Sequence, residues 1–167
     1  MLSITRSKWL LLFLFTTGST LSVAQETPSK EPAQTADASD APSREQRIAT
    51  YLTGATFRGS FSVDSEGLDN LKEEQYTISK CEKLPEDDRY RLTARIKYGQ
   101  TDGEFPMDLD ILWAGNTPVI TMDQVWIPGL GTFSARVLIL NGRYAGTWDH
   151  GDVGGHLFGK IEKPETP

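Results

Sequence analysis

Both histidines of this 167-residue chain lie in one heptapeptide, HGDVGGH, His150 to His156, with Asp149 directly before it. Several chemistries use such residues. His150, His156, Asp149 and Asp152 could converge on a divalent metal, because imidazoles and carboxylates ligate zinc and iron. Ser134, Asp149 and His156 are the residue types of a hydrolase triad. Asp108 and Asp110 stand two apart, so on a strand they share a face, as a glycosidase carboxyl pair must. The plain alternative for 150–156 is a glycine-rich turn, and the elements around it favour that.

Those elements are mostly strands. Ser43 and Gln46 have capping-box spacing, and Ile48, Tyr51 and Leu52 share one helical face up to Gly54, which predicts a short helix. The period then changes to two. Phe57, Gly59, Phe61 and Val63 alternate with Arg58, Ser60 and Ser62. A helical turn is expected around Leu68 to Glu73, then a less regular strand from Gln75 to Leu84. Tyr90 to Tyr98 and Phe105 to Trp113 are the cleanest alternations in the chain. Further strands are expected at Thr117–Ile127, with mixed faces, and at Thr132–Leu140, Arg143–Asp149 and His156–Glu162. No helix is long enough for a parallel crossover. Eight antiparallel strands with short connections predict an all-β, up-and-down barrel behind a short N-terminal helix; a two-sheet β-sandwich is the alternative.

Register bears on the chemistry. Asn141-Gly142 predicts a two-residue hairpin that pairs Leu140 with Arg143, Ala135 with Trp148 and Ser134 with Asp149. Placing apolar residues opposite one another in the next hairpin pairs Trp148 with Leu157 and sets His156 opposite Asp149. The row Ser134–Asp149–His156 then has its carboxylate in the middle, whereas a triad needs the imidazole there. The row also faces outward. Pairing Ile96 with Phe105 or Met107 sets Arg91, Arg95 and Lys97 across from Glu104, Asp108 or Asp110. That is an outward ladder of ion pairs, which keeps both aspartates ionised. No residue is assigned a catalytic role.

The segment Val125 to Phe133, VWIPGLGTF, is apolar where a connection should be polar. Trp126 and Leu130 are expected either to fold down and close one barrel end or to stay up as a portal or docking patch. Trp126, Ile127, Leu130, Phe133, Tyr98, Tyr144 and Trp148 are therefore the candidate contacts for a ligand or partner. Interior tyrosine hydroxyls would need partners, either each other or a ligand.

The ends and the composition set the compartment. Arg6 and Lys8 precede the apolar run WLLLFLF, Trp9 to Phe15, and Ser22-Val23-Ala24 offers a cleavage site, so residues 1–24 read as a signal peptide cut near Ala24. Residues 25–42 hold three prolines and no large apolar side chain and read as a disordered linker. Residues 43–163 form the barrel domain and 164–167 a tail. The mature chain has 15 basic against 23 acidic residues, a net charge of −8, which disfavours nucleic acid and anionic lipid as partners. Cys81 is alone and is expected to be buried. An exported protein, periplasmic or extracellular, with no cofactor and no transmembrane segment in its mature form is expected.

A short helix leading into TFRGSFSV and a meander of strands resembles the calycin superfamily, the lipocalin-like barrels, over residues 43–162. The likeness is architectural: where lipocalins carry Gly-x-Trp this chain reads Gly59-Ser60-Phe61, so no functional residue carries over. In wording, GTFSARVLILNGRYAGTWDHGDVGGHLFGKIEK resembles an uncharacterised group of exported proteins of planctomycete-type bacteria, over residues 49–163, which implies only export and provenance. The function expected is a non-catalytic binding module for a small apolar ligand or an envelope partner. Behind it stand a packed-core interaction domain docking through 125–133 and, third, a metal-assisted hydrolase at 149–156.

Overall fold

A computed structural model describes residues 41–98 and 101–164. The expected signal peptide, most of the linker, the last three residues and the side chain of Tyr98 lie outside the described residues. The elements run α1 (Arg44–Leu52), β1 (Thr56–Phe61), β2 (Lys72–Lys83), β3 (Arg89–Tyr98), β4 (Thr101–Ala114), β5 (Thr117–Ile127), β6 (Gly131–Leu140), β7 (Arg143–His150) and β8 (Val153–Glu162). Each strand pairs antiparallel with the next, and β1 pairs with β8. The sheet is therefore a closed eight-stranded barrel, and the sandwich is excluded.

The helix is built as its sequence requires. Gln46 N–H donates to Ser43 Oγ and Ser43 N–H donates to Gln46 Oε1, completing the capping box. Ile48, Ala49 and Leu52 are buried, so α1 packs into the core cluster that also holds Ile111, Ile139 and Ile161. Thr53 Oγ1 accepts from Cys81 N–H at 3.0 Å and ties the exit of α1 to β2. One end of the barrel is plugged in this way. The β5–β6 and β7–β8 turns lie at the other end.

Most of the expected alternation is present, and the departures have local causes. The helical turn lies at Asp64–Glu66, not at 68–73. Leu68 and Leu71 are exposed there, and β2 begins at Lys72 because Lys72 pairs with Phe61 of β1. β2 and β5 each carry a register shift, between Ile78 and Lys80 and between Met122 and Val125. In the second, Gln124 sits at φ 53. Such bulges re-aim side chains, which explains the mixed faces read from β5.

The β6–β7 hairpin has the expected register, and Asn141 and Gly142 both take positive φ as a type I′ turn demands. The β3–β4 register differs: Ile96 pairs with Gly103, Ala94 with Phe105 and Leu92 with Met107. Parity is kept, so the outward ladder forms. Arg91 makes a bidentate pair with Asp108 (2.6 and 2.7 Å), Arg95 one with Asp102, and Arg89 reaches Asp110. The outer wall also carries an apolar row across five strands, Leu112–Val119–Leu138–Ala145–Phe158.

Candidate functional site

The barrel encloses a cavity of about 420 Å³. Its lining runs from Leu109, Ile120 and Val137 towards the α1 end to Leu130, Phe133 and Val153 at the other. Ligand pockets fall in the range of roughly 300–1,000 Å³, apolar with a few placed polar groups. A second depression of about 440 Å³ lies between α1 and the β4–β5 turn, where Arg44 stacks over Trp113 at 4.7 Å. It is a surface groove, so the interior cavity is the candidate site.

Among the described residues that line the cavity, Glu74 is the buried charged side chain; Glu73 and Lys97 also border it but are exposed. Glu74 is 7 % exposed and lines the cavity with Tyr76 and Tyr144. The Tyr144 hydroxyl donates to Glu74 Oε1 at 2.7 Å, and the Tyr76 hydroxyl donates to Oε2 at 3.0 Å. Burial pushes the Glu74 carboxyl above its ordinary range, and the two hydroxyls pull it back in part. The Tyr144 hydroxyl is itself pushed up, by burial first and then by its bond to Glu74.

Register explains how Tyr144 gets there. Tyr144 on β7 pairs with Gly159 on β8, Gly159 with Gly59 on β1, and Gly59 with Glu74 on β2. The ring therefore lies across two strands. A Cβ at Gly159 would stand 2.7 Å from Tyr144 Cε1, and one at Gly59 would stand 2.6 Å from its hydroxyl. Only glycine at both positions leaves room. Trp148 does the same one level up: it pairs with Gly155, and its Nε1 donates to the Ser62 carbonyl at 3.2 Å. Its ring meets Phe61 edge-on at 5.7 Å.

These glycines correct the expected β7–β8 register. Trp148 stands opposite Gly155 and not Leu157, because aromatic rings on β7 lie over glycines on β8 and do not pair with apolar side chains. His150 pairs with Val153, so the connection is the two residues Gly151-Asp152. His156 stands opposite Thr147, and Asp149 opposite Gly154. The row Ser134–Asp149–His156 does not form. His150 stacks on Phe133 at 4.4 Å, with Nδ1 2.9 Å from the Thr132 carbonyl oxygen. The polar neighbour of His156 is Asp64, at 3.9 Å. Asp149, His150, Asp152 and His156 are thus not gathered on one point. Among the described residues no group of three or more His, Cys, Asp or Glu could hold a metal ion. Asp108 is held below its ordinary range by Arg91.

The 125–133 segment divides. Ile127 is buried and, with Leu130 and Phe133, lines the cavity. Trp126 alone stays up, 66 % exposed, because its neighbour Ile127 takes the inward position. Folding of both Trp126 and Leu130 into the end is therefore corrected to Leu130 only. Tyr144 and Trp148 line the cavity as expected. Glu74 and Tyr76 were not foreseen as site residues. Their signal was available: Tyr76 and Ile78 share a parity, and extending it two residues back reaches Glu74.

Comparison with protein-family models, curated proteins and solved structures finds no match. The barrel's own residues carry the functional conclusion.

Proposed function

We propose that this chain is an exported, non-catalytic binding module that takes one small, mainly apolar ligand into its barrel. The observation that carries this is the interior cavity of about 420 Å³ with mainly apolar walls and a buried, hydrogen-bonded Glu74–Tyr76–Tyr144 cluster. Barrels of eight strands have interiors that side chains just fill or that hold one small ligand. The space left here favours the second. The likeness to calycin barrels is one of shape, and export rests on the signal-like N-terminus; N-terminal sequencing of periplasmic material starting at Gln25 would support it.

The test is titration of the folded protein with N-phenyl-1-naphthylamine, a neutral apolar fluorophore. We expect saturable one-to-one binding, quenching of Trp148, and competition by decanol. Ala94 is buried and lines the cavity, so Ala94→Phe should fill it and abolish binding. Failure of both apolar probes to bind the folded wild type would overturn the reading.

A second reading, an interaction domain, is favoured by exposed Trp126 and by the outer row that ends on Phe158, 47 % exposed. It predicts loss of a partner on Trp126→Ser or Phe158→Lys, with probe binding unchanged.

A further inference from the structure

The polar end of the cavity specifies what kind of molecule fits, granted the binding reading above. Glu74 is the buried acid of the interior. Among the described residues its hydrogen-bond partners are two tyrosine hydroxyls, one on each oxygen, and no ion pair is made to it. A hydroxyl placed on each oxygen favours the ionised form and offsets part of the burial that opposes it. An ionised carboxylate has about four acceptor sites, so roughly two stay open after Tyr76 and Tyr144 bind. A buried charge without a counter-charge is costly unless something pairs with it.

Among the described residues the surroundings pair no cation with it. Tyr144 crosses Gly159 and Gly59, which bring no side chain, and Phe57 packs beside it at 5.0 Å. Ile96 faces Tyr76 from β3. Lys97 touches the cavity lining, but it is exposed and stands opposite Asp102 in the β3–β4 ladder. Glu73, Gln75, Ser134 and His150 border the cavity as well, but Ser134 is engaged by Gln124 and His150 by the Thr132 carbonyl, and the remaining wall is hydrocarbon and aromatic.

We propose that the barrel selects an amphiphile with a cationic head, in chemical class a protonated alkyl amine, whose ammonium pairs with Glu74 inside the cavity. An ammonium brings both the missing charge and up to three donors. Its chain lies against Ala94, Met107, Met122 and Phe133. A neutral alcohol fills the same space without the charge. A fatty carboxylate sets a second negative charge against Glu74 and is rejected. Tyr76 and Tyr144 hold the carboxylate in one orientation, which reduces the ordering needed on binding.

The experiment compares three ten-carbon probes, decylamine, decanol and decanoate, at pH 8, by displacement of N-phenyl-1-naphthylamine and by calorimetry. The wild type should bind decylamine at least about tenfold more tightly than decanol, the size of one charge-assisted hydrogen bond, and decanoate least. Glu74→Gln should remove the preference for the amine, bringing the ratio of decylamine to decanol affinity down to about one. If decanol or decanoate equals the amine in the wild type, the head-group assignment is wrong and the cavity reading stands. If Glu74→Gln keeps the full preference, the acidic exterior holds the amine and the assignment is equally wrong. If no probe binds, both readings fall. Should the variant not fold, nuclear Overhauser contacts in the wild type decide. Contacts from the amine's first methylene to the Tyr76 and Tyr144 rings support the pairing; contacts only with rim residues overturn it.

Discussion

Tyr144→Phe tests whether the interior carboxylate is organised as described. The substitution keeps the ring that spans Gly159 and Gly59 and removes one oxygen, the donor 2.7 Å from Glu74 Oε1. Tyr144 and Glu74 are 3 % and 7 % exposed, so solvent does little to replace the lost bond. A buried hydrogen bond to a charged acceptor contributes about 1.5–3 kcal/mol, and one between neutral groups about 0.5–1.5 kcal/mol. The cost should therefore depend on the charge of Glu74, and so on pH.

The direction follows from linkage. Burial raises the folded-state value for Glu74 above the ordinary 4.5, so the native protein holds that proton more tightly than the unfolded chain does. The stability this contributes is complete below about pH 4.5 and is lost as pH rises through the folded-state value. The Tyr144 hydroxyl holds that value down and limits the loss. In Tyr144→Phe the value rises further, and the loss continues to higher pH. Urea denaturation at pH 4 and pH 8 should give a cost of about 0.5–1.5 kcal/mol at the lower pH and about 1.5–3 kcal/mol at the higher. In a Glu74→Gln background the cost should be the same at both. Equal costs at pH 4 and pH 8 with Glu74 present, or no cost at either, would refute the description of Glu74 as a buried, tyrosine-held carboxylate.

Other residues give independent checks. Gly159→Ala sets a Cβ 2.7 Å from Tyr144 Cε1 and against the Arg58 carbonyl, so it should destabilise by about 1–3 kcal/mol or more in urea and weaken probe binding. Cys81 is buried, and burial, with a smaller push from Glu82, raises its thiol to about 12; it should resist iodoacetamide in the native state and label on denaturation. Fast native labelling would show that the wall opens there. Tyr90 is fully buried and its hydroxyl has no protein partner among the described residues, so Tyr90→Phe should leave stability unchanged or raise it by about 1 kcal/mol. A loss above that would reveal a partner for the hydroxyl.

The barrel was legible because its causes are local. Alternation in Tyr90–Tyr98 and Phe105–Trp113 sets which side faces inward, and parity survives an error of two residues. The β3–β4 register was misplaced by two or four residues and the β7–β8 register by two, yet both kept their parity. Asn141-Gly142 carried its own turn geometry and so gave its register without error. The β7–β8 hairpin had no such marker. Pairing apolar with apolar was a reasonable rule there, but it fails where a ring needs the space a glycine leaves. Tyr144 over Gly159 and Trp148 over Gly155 are contacts between unlike sizes, and a rule based on hydrophobicity alone does not find them.

The same cause hid the candidate site. Glu74 looks like one more charge in the acidic connection GLDNLKEEQ, and its inward position follows only once β2 is known to start at Lys72. Its partner Tyr144 is 70 residues away and reaches it across two intervening strands, a relation that exists only in the closed barrel. The histidines had the opposite property. HGDVGGH gathers ligand types within seven residues, but a two-residue turn sends its members to different neighbours: His150 to Phe133, His156 to Asp64. Closeness in sequence made conspicuous residues that the fold does not bring together. Where each strand contributes one or two inward side chains, a site is assembled across the sheet. The residues to look for first are then the polar ones at inward parity, each with a glycine opposite, a second glycine beside that, and an aromatic on the strand after.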